Sequence, residues 1–226
     1  SWRNIPAVPI NGYKDLTLSC CDPEAAERIF MTSGTTKNGV RGKCHHPTLS
    51  VYDTSMITAF RQRFMQEHTK LRMGILFPTE QTMPNSSLAH YLALALNEFG
   101  SDGSRYLFND DGLDHEQLFA ELDRAEQTGK PYALLGASFS FVHVMDKMSH
   151  LGKTVSLPEG SRILDTGGFK GQSRELELNE FYDLLETRFG VPRDHCINMY
   201  GMTELSTEFY DWGNATCPSV KSGPHW

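Results

Sequence analysis

Hydrophobic positions divide the chain into alternating helical stripes and short strand-like runs. Leu49, Tyr52, Met56, Ile57, Phe60 and Phe64 recur at helical spacing and predict a helix over residues 48–66 with one buried face. Residues 72–77 read as a strand ended by Pro78, and Leu88, Tyr91, Leu92, Ala95, Leu96 and Phe99 mark a helix stopped by Gly100. A strand at 105–108 and a helix at 114–127 with Leu118, Phe119 and Leu122 inward follow, closed by Gly129-Lys130-Pro131. Next come a strand at 132–135 and a helix at 137–150 with Phe141, Val142, Met145 and Met148 on one face. A strand at 161–164 runs into the loop Asp165-Thr166-Gly167-Gly168, and Asn179 is expected to cap a helix that Gly190 ends, with Pro192 beyond. This alternation predicts an α/β fold: a largely parallel sheet with flanking helices, whose ligands collect at the carboxyl ends of its strands. Residues 1–23 hold Pro6, Pro9, Pro23 and Gly12 and read as an extended arm, with Ile5, Val8 and Ile10 able to pack.

Composition narrows the class. A chain of 226 residues, 39% hydrophobic and 22% charged, can bury a sizeable core as one large domain. A net charge of -7 gives no electrostatic footprint for nucleic acid or an anionic membrane surface. No apolar run reaches the length of a membrane span, and the N-terminus lacks a signal-peptide pattern, so the expected address is cytoplasmic. The missing initiator Met and the SGPHW ending suggest a fragment. The five cysteines, Cys20, Cys21, Cys44, Cys196 and Cys217, show no paired spacing and read as reduced. Cys44-His45-His46 has no partner motif for zinc, and Asn85-Ser86-Ser87 and Asn214-Ala215-Thr216 read as polar loops.

Two stretches carry candidate chemistry. In FMTSGTTKNGVRGKCHH, residues 30–46, Gly34, Gly39 and Gly42 let the backbone approach an anion, and Thr32, Ser33, Thr35 and Thr36 supply hydroxyl donors. Lys37, Arg41 and Lys43 add positive charge. This composition suits a phosphate cradle, although taken alone it reads first as a Gly/Thr turn between two strands with solvated cations. In NMYGMTE, residues 198–204, Gly201 lets a planar base lie against the backbone beside Tyr200, Thr203 offers a hydrogen bond to phosphate, and Glu204 a hard oxygen ligand for Mg²⁺.

Together the TSGTT and YGMTE stretches resemble the paired motifs of adenylate-forming enzymes, which activate a carboxylic acid with ATP. Within that superfamily the chain is similar to the LuxE-like acyl-protein synthetases, the fatty acid ligases of the bacterial fatty acid reductase complex of bioluminescence. IPAVPINGYK (5–14), LLGASFSFVHVMD (134–146), RILDTGGFKGQSRE (162–175) and MYGMTELSTEFYD (199–211) extend the resemblance over nearly all of the chain. It implies that Thr32, Ser33, Gly34, Thr35 and Thr36 hold the outer phosphates, Thr203 the α-phosphate and Glu204 the Mg²⁺. Gly167, Gly168, Phe169, Tyr200, Gly201 and Met202 frame the adenine, while Lys170 reaches the nucleotide, the carboxylate or solvent. ATP and Mg²⁺ are the implied cofactors, a long-chain fatty acid the substrate, and an acyl-accepting or reductase/transferase protein the partner. An aryl- or acyl-CoA ligase of the phenylacetate-CoA ligase type, or a non-catalytic nucleotide- or partner-binding domain, is the alternative.

The chain departs from the superfamily pattern after SGTT, where Gly-Pro-Lys-Gly is usual and Lys37, Gly39, Val40 and Arg41 occur. The loop lysine is unplaced, with Arg41 or Lys43 as substitutes. The ribose-binding aspartate, the mobile C-terminal domain and the acyl-accepting cysteine of the family lie beyond YGMTE, so the domain is expected to be incomplete at its C-terminus. Three other motifs fail. A P-loop would need lysine where Val40 stands; the single DTG at 165–167 sits in a helix-strand alternation foreign to aspartic proteases; and Ser33, Ser138 and Ser140 lie in no G-x-S-x-G elbow. His143 and His195 read as core or surface residues, and Phe139, Phe141, Val142 and Met145 as core packing or the lining of an acyl tunnel.

Overall fold

A strand buried on both faces reads as an apolar run, and the central strands do so because helices cover both sides of their sheet. The computed structural model describes residues 2–4, 7, 9–10, 12–32, 41–109, 111–169 and 171–211. In chain order its elements are α1 (Gly12–Asp15), β1 (Arg28–Met31), β2 (Lys43–His46), α2 (Ser50–Phe60), β3 (Arg72–Leu76), α3 (Ser87–Phe99), β4 (Arg105–Tyr106), β5 (Phe108–Asn109), β6 (Gly112–Leu113) and α4 (His115–Thr128). They continue with β7 (Tyr132–Ala137), α5 (Ser138–His150), β8 (Arg162–Thr166), α6 (Leu178–Phe189), β9 (Cys196–Met202) and β10 (Thr207–Tyr210). The six-stranded sheet runs β10-β9-β8-β7-β3-β4, parallel from β4 to β9 with β10 antiparallel at the edge.

Alternation along the strands sorts side chains between two cores. Met73, Ile75, Leu135, Leu164, Ile197 and Met199 face α2 and α3, which contribute Met56, Phe60, Tyr91, Leu92 and Phe99. Leu76, Leu134, Ile163 and Cys196 face α4, α5 and α6, which contribute Leu118, Leu122, Phe141, Val142, Met145, Phe181 and Leu185. Of the residues considered for an acyl tunnel, Phe141, Val142 and Met145 therefore fill this second core, and Phe139 packs against the first. Gly136 lets β7 press on β3, since a Cβ there would lie 2.9 Å from Leu76 Cβ and 3.0 Å from its carbonyl oxygen.

Several boundaries differ from expectation for local physical reasons. The predicted 105–108 strand is split: Arg105–Tyr106 joins β3, whereas Leu107 turns into the second core and Phe108–Asn109 pairs with β6 instead. Asp165 and Thr166 belong to β8, not to a loop, because pairing with Asn198 and Met199 of β9 extends the ladder. Asn179 is not the α6 cap; Glu177 occupies that place in extended conformation without a capping side-chain bond, while Gly190 closes the helix at φ +68° as predicted. Ser86 and Ser87 do not form a polar loop: the Ser86 hydroxyl accepts from the Ala89 N–H at 3.2 Å, making it the N-cap of α3, and Ser87 is the first helical residue.

Candidate functional site

The antiparallel β1–β2 ladder pairs Met31 with Lys43 and brings together the two ends of the TSGTT stretch. Thr32 N–H donates to Gly42 O at 3.0 Å, and Gly42 N–H donates to Thr32 Oγ1 at 2.9 Å. The threonine hydroxyl thus closes the loop base and keeps its own proton to donate. Ser33, Gly34, Thr35 and Thr36 lie outside the described residues, as does Lys170. Arg41 and Lys43 are exposed beside the loop base.

Gly42 is where the two motifs meet. A Cβ at this buried glycine would lie 3.3 Å from Thr32 Cγ2, 3.4 Å from Glu204 Oε1 and 3.6 Å from Lys14 Cγ. The carboxylate of YGMTE therefore abuts the base of the phosphate-type loop, and the Lys14 stem arrives from α1 on the same point. The neighbouring hydroxyls are tied as well: Thr203 Oγ1 lies 3.2 Å from Ser87 Oγ at the start of α3. Ser206 closes the turn after Glu204 at φ +53°, with Oγ 3.2 Å from His46 Nε2 and 3.5 Å from Cys44 Sγ.

A buried polar group underpins this turn. Tyr210 donates to Glu208 Oε2 at 3.4 Å, and its hydroxyl lies 2.9 Å from that of Tyr91. Burial pushes the Glu208 carboxyl up to about 7 against the opposing bonds from Tyr52 and Tyr210. Burial also lowers His46, and the nearby His90 adds to that effect. His90 is held by Asp53 at 2.9 Å and Glu80 at 2.8 Å.

The second glycine loop follows β8, next to β9. Gly167 and Gly168 have φ of +83° and +67°, conformations that favour glycine, and a Cβ on Gly168 would meet nothing within 4 Å. Phe169 packs edge-on to Phe181 with centroids 5.8 Å apart. Across the neighbouring strand Tyr200 is 44% exposed, Gly201 is exposed and Met202 half-buried. Beneath both segments sits Asp165, 2% exposed. Its Oδ2 accepts from Ser138 Oγ at 2.8 Å and Asn198 Nδ2 at 2.9 Å, and its Oδ1 from Tyr182 at 3.0 Å. Burial raises its carboxyl from 3.8 to about 6 despite those three bonds.

Sequence patterns missed Lys14, Ser87, Ser206 and the Asp165 cluster. Only Ser86-Ser87 had a local signal, a serine pair just before a helical stripe. The others depend on contacts between distant segments. Among the described residues no three His, Cys, Asp or Glu side chains gather to hold a metal. A single carboxylate, Glu204, suits Mg²⁺, which keeps waters and phosphate oxygens as its other ligands. No helix among the described residues is long and apolar enough to cross a membrane.

Comparison with known proteins adds a relative and a fold. No family model matches the chain. The chain is 24% identical over 213 residues to a long-chain-fatty-acid–luciferin-component ligase of Vibrio harveyi, covering 92% of this chain and 55% of that protein, so it spans about half the relative's length. Among solved structures, the adenylation domain of a keto acid-selecting NRPS module bound to keto acyl adenylate superposes with TM-score 0.51 at 14% identity, covering 86% of this chain and 32% of that one. Over 92% of its length the chain is thus similar to a LuxE-type acyl-protein synthetase, and it is built on the fold of the adenylate-forming enzymes.

Proposed function

We propose that this chain activates a carboxylic acid with ATP. The acid oxygen attacks the α-phosphorus, the bond to the bridging oxygen breaks, and pyrophosphate leaves with its electron pair to give an acyl adenylate. The observation that carries the reading is the convergence at Gly42, where the TSGTT loop base and the Glu204 carboxylate lie within van der Waals distance of one position. Such a reaction demands charge management more than covalent chemistry from the protein.

Thr32, Ser33, Gly34, Thr35 and Thr36 hold the β- and γ-phosphates through backbone and hydroxyl donors. Lys14, Arg41 and Lys43 form the cation pool at the loop base and offset charge on the departing pyrophosphate. Thr203 donates to the α-phosphate, its hydroxyl already oriented by Ser87. Glu204 would hold Mg²⁺, which would supply Lewis-acid charge stabilisation to the phosphates. Gly167, Gly168 and Phe169 line one side of the adenine and Tyr200, Gly201 and Met202 the other, while Lys170 reaches the nucleotide, the carboxylate or solvent.

The acid is a long-chain fatty acid, by analogy with the luciferin-component ligase; the acceptor is a protein thiol, and the chain acts in the cytoplasm. The test is acid-dependent exchange of labelled pyrophosphate into ATP with a panel of fatty and aryl acids. Exchange that requires a fatty acid supports the reading. ATP binding with no exchange for any acid would reduce the chain to a nucleotide-binding domain.

A further inference from the structure

Asp165 joins the two segments read above as the adenine site. From the Oδ2 atom, one path runs through Ser138, whose hydroxyl donates to Asp165 at 2.8 Å and accepts the Gly168 N–H at 3.3 Å. The other path runs through Asn198, whose Nδ2 reaches the same oxygen at 2.9 Å and which lies two residues before Tyr200 on β9. The Asn198 backbone is fixed in turn by Asp211, through its N–H to Oδ1 at 3.1 Å and its carbonyl to the Asp211 N–H at 2.9 Å. We propose that Asp165 is a positioning residue that holds the Gly167–Gly168 loop and the Tyr200–Met202 strand end at one separation, and so sets the width of the slot that takes a nucleotide's purine. The proposal rests on the reading of those segments as the base site.

The Ser138 hydroxyl makes this hold depend on the charge of Asp165. Ser138 Oγ lies within bonding distance of both Asp165 Oδ2 and the Thr166 carbonyl, the latter at 3.1 Å, and its one proton serves only one of them. An ionised Asp165 takes that proton and leaves the hydroxyl lone pairs to Gly168. A neutral Asp165 must itself donate, with Ser138 Oγ its nearest acceptor, and the serine proton then turns to the Thr166 carbonyl, so the charge-assisted bond that ties Ser138 to Asp165 is exchanged for a weaker neutral one. The other ionisable groups around Asp165 are Tyr182, Arg193, Asp211 and Cys196. Burial drives Tyr182 and Cys196 well above neutrality. Arg193 is held by Asp211 at 2.7 Å and stacks on the Tyr182 ring at 3.6 Å. Burial raises the Asp165 carboxyl to about 6, inside the range from pH 5 to 7.5.

The experiment compares the 226-residue chain with Asp165→Asn, Ser138→Ala and Tyr182→Phe, each checked for cooperative unfolding. One readout is amide hydrogen exchange over residues 166–172 and 196–202 without nucleotide, and the other is the Mg-ATP dissociation constant, both from pH 5 to 7.5. The proposal expects Asp165→Asn to bind about tenfold more weakly at pH 7.5, the gap closing near pH 5 as the parent carboxyl becomes neutral. Ser138→Ala should speed exchange at 166–172 and leave 196–202 unchanged, and Tyr182→Phe should bind like the parent at pH 7.5. A variant-to-parent ratio that is flat with pH, together with unchanged exchange in folded variants, overturns the positioning role. Exchange that responds as described in a parent that binds no Mg-ATP upholds Asp165's hold on the two segments and overturns the nucleotide reading.

Discussion

Replacing Asp165 by Asn should change the pH dependence of stability by an amount the structure allows us to work out. In the folded chain this carboxyl sits at about 6 rather than 3.8, because full burial outweighs the bonds from Ser138, Asn198 and Tyr182. A folded-state value above the unfolded one means that the native state binds the proton more tightly. Stability is therefore greatest below the unfolded value and declines as pH rises through 3.8 to about 6. A shift of about two units corresponds to roughly 3 kcal/mol. The Asn variant lacks this titration, so its stability relative to the parent should improve by roughly 2 kcal/mol between pH 4 and pH 7, whatever the offset at pH 4. Glu208, raised to about 7, and His46, lowered by burial, pack with Tyr52 of the other core and are present in both proteins, so they cancel in the difference. Urea unfolding in steps of half a pH unit measures it. A constant difference would refute the argument, and one moving the opposite way would show that the three donors outweigh burial.

Other outcomes follow from close approaches. Gly42→Ala places a methyl 3.3 Å from Thr32 and 3.4 Å from Glu204 Oε1, so Mg-ATP affinity should fall about tenfold with little loss of stability, as calorimetry would register. Gly136→Ala meets the Leu76 backbone and should cost about 1–3 kcal/mol in denaturant unfolding. Glu121→Ala removes the buried carboxylate that Arg72 grips at 2.7 and 3.0 Å and should cost roughly 3 kcal/mol in the same assay. Lys14→Gln should weaken Mg-ATP about fivefold and flatten the salt dependence of binding, with the fold intact.

The fold was legible where burial is one-sided and periodic. The stripe of Tyr91, Leu92, Ala95 and Phe99 marks α3 because that helix has one buried face, and its end is written in Gly100. Strand ends were less legible, since Asp165 and Thr166 look like loop residues until β9 pairs with them. The two motifs that meet at Gly42 stand out in the sequence, but the contacts that support them do not. Ser87 and Thr203 are 116 residues apart, and nothing local in either segment announces the bond. Lys14 reaches Gly42 from an arm whose sequence carries no signal of that contact. Asp165 was visible as part of a DTG pattern, whereas its bonds come from α5, α6 and β9 and exist only in the assembled sheet.

The central claim is that TSGTT and YGMTE form one nucleotide site, and equilibrium binding of Mg-ATP tests it most directly. The parent is to be measured beside a Thr36→Ala, Thr203→Ala variant that unfolds cooperatively. Each lost phosphate bond is worth about 1.5–3 kcal/mol, so the account predicts saturable binding by the parent and its loss in the variant. Equal binding by the folded variant, or no binding by either protein, would contradict it.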